Sequence, residues 1–273
     1  MSNFTTSDGT QLYYKDWGAG QPIILMHAWP LNSDTWEYQM NFLAARGFRV
    51  IAYDRRGFGR SSQPWAGYDF DTFANDLHQL IEGLELQDVV LVGHSMGGGE
   101  VARYLGRHGS RRVAKAVLVS AVTPLMIRRD DHPEGIAPAV FDGLRAGILS
   151  DRSAFLSKLV PVLMLGGQGN PAVSQPMLDA TVALGLQAGL KGMLDSVEAF
   201  SATDFRADLK KIDVPTLVIH GDCDGAVPFE VTGKAAAAMI RDVRLKVYEG
   251  APHSLYFTHK DRLNEDLLAF AQS

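Results

Sequence analysis

The sequence predicts an α/β protein: a mostly parallel central sheet flanked by helices on both faces, with a helical cap inserted late in the chain. Three observations carry this. Short runs rich in Val, Ile and Leu alternate with helical patterns long enough to serve as crossovers. One such run, "VVLVGHSMGGGEVARYL" (89–105), stops at Gly93 and restarts, after a cluster of glycines around a lone serine, with a helical period. From Pro124 to about Val214 no buried strand pattern occurs, only helical ones.

The elements follow in order. "FTTSDGTQLYYKDWGAGQPIIL" has the Asp-Gly turn and the alternation of an antiparallel hairpin ahead of the sheet. "PIILMH", "FRVIAYD", "DVVLVGHS", "AKAVLVSA", "PTLVIHGD" and "VRLKVYEG" read as central strands, apolar on both faces. "WEYQMNFLAARG", ended by Gly47, "FDTFANDLHQLIEGL", "GGEVARYLGRHG" and "KAAAAMIRDV" read as the helices between them. Within the insertion, two helical stretches, 138–165 and 175–200, flank a short Gly/Pro/Asn linker, "GGQGNPA". The linker is short and both sides are apolar, so the expectation is a folded cap rather than disorder. The chain then reads as one domain, 1–273: a core of 1–123 and 215–273, and a cap of about 124–214 inserted before the strand at 215–220. A cap over the carboxyl ends of the strands would wall a pocket.

Composition narrows the function. With 273 residues, 46% of them hydrophobic, the chain can bury a large core. A net charge of −5 without a basic stripe argues against nucleic acid and against an anionic membrane as partners. No apolar run is long enough to span a bilayer, and "MSNFTTSDGT" lacks the pattern of a signal peptide, so the expected location is the cytoplasm. The single Cys223 can form no disulfide within the chain and reads as a small loop residue; no metal site and no cofactor are expected.

The glycine-flanked serine has a chemical purpose. A serine hydroxyl is a poor nucleophile unless a base takes its proton and its oxygen stands clear of neighbours. Gly93-His94-Ser95-Met96-Gly97 at a strand-to-helix turn provides that exposure, and the helix N-terminus aims N–H groups at a developing oxyanion. As a bare G-x-S-x-G pattern it is weak; the strand before it and the helix after it give it weight.

The remaining members are expected later in the chain, in the order Ser, Asp, His. His253, in the Gly/Pro loop of "VYEGAPHSLYF", is the candidate base. Among the others, His259 is expected to open the last helix, His108 to end one, His78 and His132 to be exposed, and His220 to pack at a strand end. His27 and His94 are read as loop braces. In "VIHGDCDGAVPF", Asp224 is favoured as the acid over Asp222, which is expected to hold the turn. Asp54 reads as a structural carboxylate in a glycine-rich turn. The oxyanion donors would be the N–H groups of Met96 and of Trp29 in "HAWP"; Pro30 cannot donate and biases Trp29 toward extended angles.

"HAWP", "DRRGFGRS", "GHSMGG", "HGDCD" and "APHS" resemble the corresponding motifs of the α/β-hydrolase superfamily, in particular of the bacterial arylesterase and cofactor-free haloperoxidase (perhydrolase) family, across essentially the whole chain. The resemblance implies Ser95, Asp224 and His253 as a triad, Trp29 and Met96 as oxyanion donors, and hydrolysis of small aryl or alkyl esters with acyl transfer to peroxide. It further implies a homo-oligomer. Two features depart from the family: Ala28 stands where relatives usually carry glycine, and the cap stretch "FLSKLVPVLML" is aliphatic where relatives often place phenylalanine. Met126, Leu159 and Leu163 either shape the substrate pocket or form ordinary cap core. Val227 and Leu255, beside the acid and the base in sequence, are candidate substrate contacts with Trp29.

The expected chemistry is acyl transfer through an acyl-serine, with water, peroxide, an alcohol or an amine as acceptor. Serine at the elbow argues against dehalogenase and epoxide hydrolase readings, which need a carboxylate there. A lactamase or amidase, and a ligand receptor on a hydrolase scaffold, are the alternatives.

Overall fold

The structure is a computed structural model and describes residues 2–166 and 173–273. Eight strands form one sheet: β1 (Ser2–Thr5), β2 (Gln11–Gly18), β3 (Gln21–Met26), β4 (Phe48–Tyr53), β5 (Val89–His94), β6 (Val113–Val119), β7 (Thr216–Gly221) and β8 (Val243–Tyr248). Their order across the sheet is β1-β2-β4-β3-β5-β6-β7-β8. The N-terminal hairpin is antiparallel, β2 joins β4 antiparallel, and every pairing from β4 to β8 is parallel.

All six residues of β5 are buried, as are those of β7, because helices cover both faces and leave no side of these strands to water. On one face α1 (Glu37–Ala44) packs with the C-terminal helix over a core that includes Trp36, Met40, Leu217 and Phe270. On the other, α2 (Phe70–Gly83) and α3 (Met96–His108) pack over Ile24, Leu91 and Leu118. Asp69 caps α2 by accepting from the Thr72 N–H at 2.9 Å.

Two expectations needed correction. β8 is an edge strand, paired only with β7 and exposed at Arg244 and Leu245; its interleaved Arg244 and Lys246 mark a strand with one wet side. The helix expected over 234–243 contracts to Gly233–Ala237, because the chain must be extended by Asp242, whose carbonyl accepts from the Thr216 N–H at the mouth of β7.

Between β6 and β7 the chain adds four helices, α4 (Pro138–Leu165), α5 (Gln175–Leu186), α6 (Leu190–Ala202) and α7 (Arg206–Leu209). Asp151 breaks α4 with extended angles (φ −158°, ψ 97°), and its carboxylate caps the second half by accepting from the Ala154 N–H. Of the expected linker 166–172, Gly166 ends α4 in the left-handed region and 167–172 lie outside the described residues. The chain continues through α8 (Gly233–Ala237), α9 (Leu255–Thr258) and α10 (Lys260–Gln272). Among the described residues no helix is long and apolar enough to cross a membrane.

Candidate active site

Ser95 stands between β5 and α3 with φ +56° and ψ −115°, a region that costs a residue with a side chain on the order of 1–3 kcal/mol. The surrounding structure holds it there: the Ser95 N–H donates to the Val119 carbonyl at 2.8 Å, and its own carbonyl accepts from Gly98 and Val122. The flanking glycines are sterically required. A Cβ on Gly93 would lie 2.2 Å from the Gly97 carbonyl oxygen, and one on Gly97 would lie 2.4 Å from the Met26 carbonyl oxygen. The start of α3 is thereby pressed against the end of β3, from which the "HAWP" loop departs. β5 runs through His94 rather than stopping before Gly93, so the turn is tighter than expected.

Asp224, in the loop after β7, and His253, in the loop after β8, meet at 2.7 Å between Oδ2 and Nδ1. The carboxylate accepts, so Nδ1 carries the proton and Nε2 is the basic nitrogen. Oδ1 of Asp224 accepts from the N–H groups of Ala226 and Val227. Burial pushes this carboxyl up, but the His253 charge and hydrogen bonds from His220 and His253 outweigh it and hold the group far below the usual carboxylate range. Asp222 is elsewhere: its Oδ1 accepts from the Gly250 N–H at 2.7 Å and ties the β7 loop to the β8 loop.

The other histidines brace or pack. His94 donates from Nε2 to the His253 carbonyl at 3.0 Å, and burial, then His253, push its pKa down to about 3. His27 lies behind the "HAWP" loop, and its Nδ1 is 2.9 Å from the Ala28 carbonyl. His220, at the end of β7, donates from Nε2 to the Val227 carbonyl at 2.8 Å. His108 ends α3 and His259 precedes α10. His78 and His132 are not exposed as expected: His78 is half-buried and stacked on His108 with centroids 4.3 Å apart, and His132 is buried in a turn closed by its bridge to Arg129. Asp54 accepts from the N–H groups of Ser33 and Arg60, a structural role as expected. Cys223 is exposed.

A cavity of about 360 Å³ opens above Ser95 and His253. Trp29, Met126, Leu159, Leu163 and Val227 line it. Leu255 does not; it is fully buried in the opposite core with Trp36 and Tyr256, because α9 turns it away beneath the sheet's other face. Sequence reasoning missed Ile136, Leu144, Phe141 and Phe200, the last two of which supply aromatic rings from outside the aliphatic stretch at 155–165. Phe141, Leu144 and Phe200 have only their membership of the inserted helices as a sequence signal, and Ile136 lies just ahead of α4 with none. Apart from Ser95 and His253, no ionisable or hydroxyl side chain lines the cavity among the described residues, and the Trp29 indole N–H is occupied by the Met193 carbonyl at 3.1 Å. Among the described residues, the backbone N–H groups of Trp29 and Met96 have no hydrogen-bond partner.

Comparison with known proteins agrees with this architecture. Residues 21–260 match the family described as alpha/beta hydrolase fold. A non-heme chloroperoxidase of Kitasatospora aureofaciens is 47% identical over 97% of this chain and 98% of its own length. A bifunctional esterase/perhydrolase of Acinetobacter calcoaceticus is 45% identical over 100% of both. The crystal structure of a bromoperoxidase from Bacillus anthracis superposes with a TM-score of 0.96, at 46% identity and with 100% of both chains covered.

Proposed function

The chain belongs to the alpha/beta hydrolase fold family, and from that premise we propose that it is a serine esterase for small, uncharged esters that also transfers the acyl group to hydrogen peroxide. Its catalytic residues are Ser95, His253 and Asp224, with the Trp29 and Met96 amides as oxyanion donors. The observation that carries the reading is the 2.7 Å contact of Asp224 with His253, which with Ser95 provides, among the described residues, the only hydroxyl or ionisable side chains lining the cavity.

His253 Nε2 takes the Ser95 proton as Oγ attacks the ester carbonyl, and the carbonyl electrons move onto an oxyanion. In this reading the Trp29 and Met96 amides receive that charge. The oxyanion collapses, His253 returns the proton to the leaving alkoxide, and an alcohol departs from the acyl-serine. Water or peroxide, deprotonated by His253 in turn, attacks the acyl carbon and releases acid or peracid with Ser95 restored. A peracid oxidises halide in solution and becomes the acid again. That route connects an esterase site with haloperoxidase and perhydrolase names among the relatives. Asp224 keeps His253 in the tautomer and orientation this needs.

An apolar cavity of about 360 Å³ suits an ester of modest size with no charged group, since a carboxylate or ammonium buried there would find no partner. We place the enzyme in the cytoplasm as a homo-oligomer, which fractionation and light scattering test. The activity test is steady-state hydrolysis of an aryl acetate series with and without hydrogen peroxide. Linear turnover with peracid formation supports the reading. A single acylation without turnover points to a receptor, and faster cleavage of a matched lactam than of the ester points to an amidase.

A further inference from the structure

Two buried charges beside the site take no part in the proton transfers above. Arg55, two residues past the end of β4, and Glu100, early in α3, are 1% and 0% exposed and meet at 2.6 Å, with a second contact of 2.8 Å from Nε. The Tyr53 hydroxyl donates to the other Glu100 oxygen. Burial lifts the Glu100 carboxyl and lowers the Arg55 guanidinium from their ordinary values; direct contact inside a dry site works the other way and favours the charged pair. A buried ion pair is a weak source of stability, since apolar side chains of similar volume would serve as well. Its other contacts supply a better reason for its presence.

Arg55 reaches both sides of the oxyanion site. Its Nη2 donates to the His27 carbonyl at 3.0 Å, its backbone N–H donates to His27 Nε2 at 3.0 Å, and its Nη1 lies 3.9 Å from Met96 Sδ. Because Nε2 of His27 accepts, the ring proton is on Nδ1, which donates to the Ala28 carbonyl at 2.9 Å; the Leu31 N–H donates to the same oxygen. Burial, then the Arg55 charge, keep this imidazole neutral, with a pKa of about 3. The Ala28–Trp29 peptide is trans and planar, so its C=O and N–H point in opposite directions. Holding the Ala28 oxygen therefore sets the direction of the Trp29 N–H.

We infer that Arg55, held by Glu100, is a positioning residue of the oxyanion site: its backbone N–H sets the His27 tautomer that aims the Trp29 amide, while its side chain holds the His27 carbonyl and ties that loop to the helix beginning at Met96. The inference rests on Trp29 and Met96 being the oxyanion donors proposed above. It assigns a use to "DRRG" and to Glu100 that neither touches substrate nor moves a proton.

The test uses Arg55→Lys, which keeps a charge for Glu100 but loses the bond to the His27 carbonyl, together with His27→Asn and His27→Gln. The Asn amide overlays Nδ1 and can still donate to Ala28; the Gln amide overlays only Nε2. Arg55→Lys and His27→Gln are expected to lower kcat on an aryl acetate by about 10- to 100-fold with little change in KM, since a misaimed oxyanion donor costs part of the 10²–10³ of a deleted one. Affinity for phenylboronic acid, whose serine adduct is a tetrahedral anion, falls with kcat, while inhibition by benzyl alcohol is unchanged. His27→Asn retains more kcat than His27→Gln. Should Arg55→Lys fail to fold, the His27 pair decides. Equal kcat in the two His27 variants, or boronate affinity that stays at the wild-type level, overturns the positioning role while leaving the serine-hydrolase reading intact. A wild-type protein that a fluorophosphonate does not label at Ser95 brings down both.

Discussion

The His253 imidazole meets the Asp224 carboxylate at 2.7 Å although the two residues sit in loops after different strands, β8 and β7. A second carboxylate helps join the same two loops: Asp222 accepts from the Gly250 N–H, beside the backbone bonds from Asp222 to Tyr248 and from Cys223 to Ala251. The pair of aspartates thus divides into one that faces the imidazole and one that holds the backbone. Asp224→Asn is expected to lower kcat by about 10³- to 10⁴-fold, because the amide no longer enforces the reactive tautomer. Asp222→Asn is expected to lower Tm with a kcat loss under about tenfold. Steady-state kinetics and thermal melts on both variants check the division.

Acid is expected to destabilise the fold in two stages. His27 and His94 have folded pKa values of about 3 against about 6.5 unfolded, so between these values the unfolded chain binds more protons. Their contribution is full above pH 6.5 and is lost as pH falls toward 3, at up to about 1.4 kcal/mol per pH unit for each histidine. Asp224 has a depressed folded pKa, so its contribution is lost only as pH falls below its unfolded value. His94→Gln keeps a donor for the His253 carbonyl and removes one titrating group. Urea unfolding from pH 7 to 4 is expected to give a shallower slope for this variant than for wild type; equal slopes would count against a buried neutral His94.

Gly97→Ala would force a Cβ to within 2.4 Å of the Met26 carbonyl oxygen, a backbone atom that cannot swing away. Overpacking of this kind costs about 1–3 kcal/mol, and it would also part α3 from the "HAWP" loop. Melting temperature and kcat are both expected to fall, whereas Gly109→Ala, where a Cβ would meet nothing within 4 Å, is expected to affect stability alone.

Leu159 and Leu163 line the cavity above Ser95 and also a small apolar void shared with Pro30, Leu156 and Val160. They form the wall between the two. Leu159→Ala is expected to join the spaces and to raise kcat/KM for an octanoyl relative to an acetyl aryl ester by about tenfold, since each methylene accommodated is worth about 1–3 kcal/mol. An acyl-chain series on both proteins measures it, and an unchanged profile would place the acyl group elsewhere.

These elements differ in how openly the sequence declares them. β3 to β7 are legible because both their faces are covered over most of their length, so each carries an apolar run, with Gln21, Arg49 and Lys115 confined to the half-buried starts of β3, β4 and β6. Ser95, Asp224 and His253 are legible because each follows a strand in a glycine-bearing loop. β8 was misread because apolar content alone does not separate an edge from a centre. Phe141 and Phe200 approach each other across the cap, with centroids 6.2 Å apart, from helices whose mutual angle no local pattern encodes. Leu255 shows the converse: two residues from His253 in sequence, it faces the other core. The Arg55–Glu100 pair is hidden for a different reason, since charged residues in a turn and on a helix ordinarily face water.

The nucleophile is the centre of the account, and Ser95→Ala tests it most directly. Turnover of an aryl acetate by this variant, followed beside fluorophosphonate labelling of the wild type, is expected to fall by on the order of 10⁴-fold or more, with the label on Ser95 alone. Turnover within about tenfold of wild type, or a label on another residue, would contradict the assignment of Ser95 as the acyl carrier.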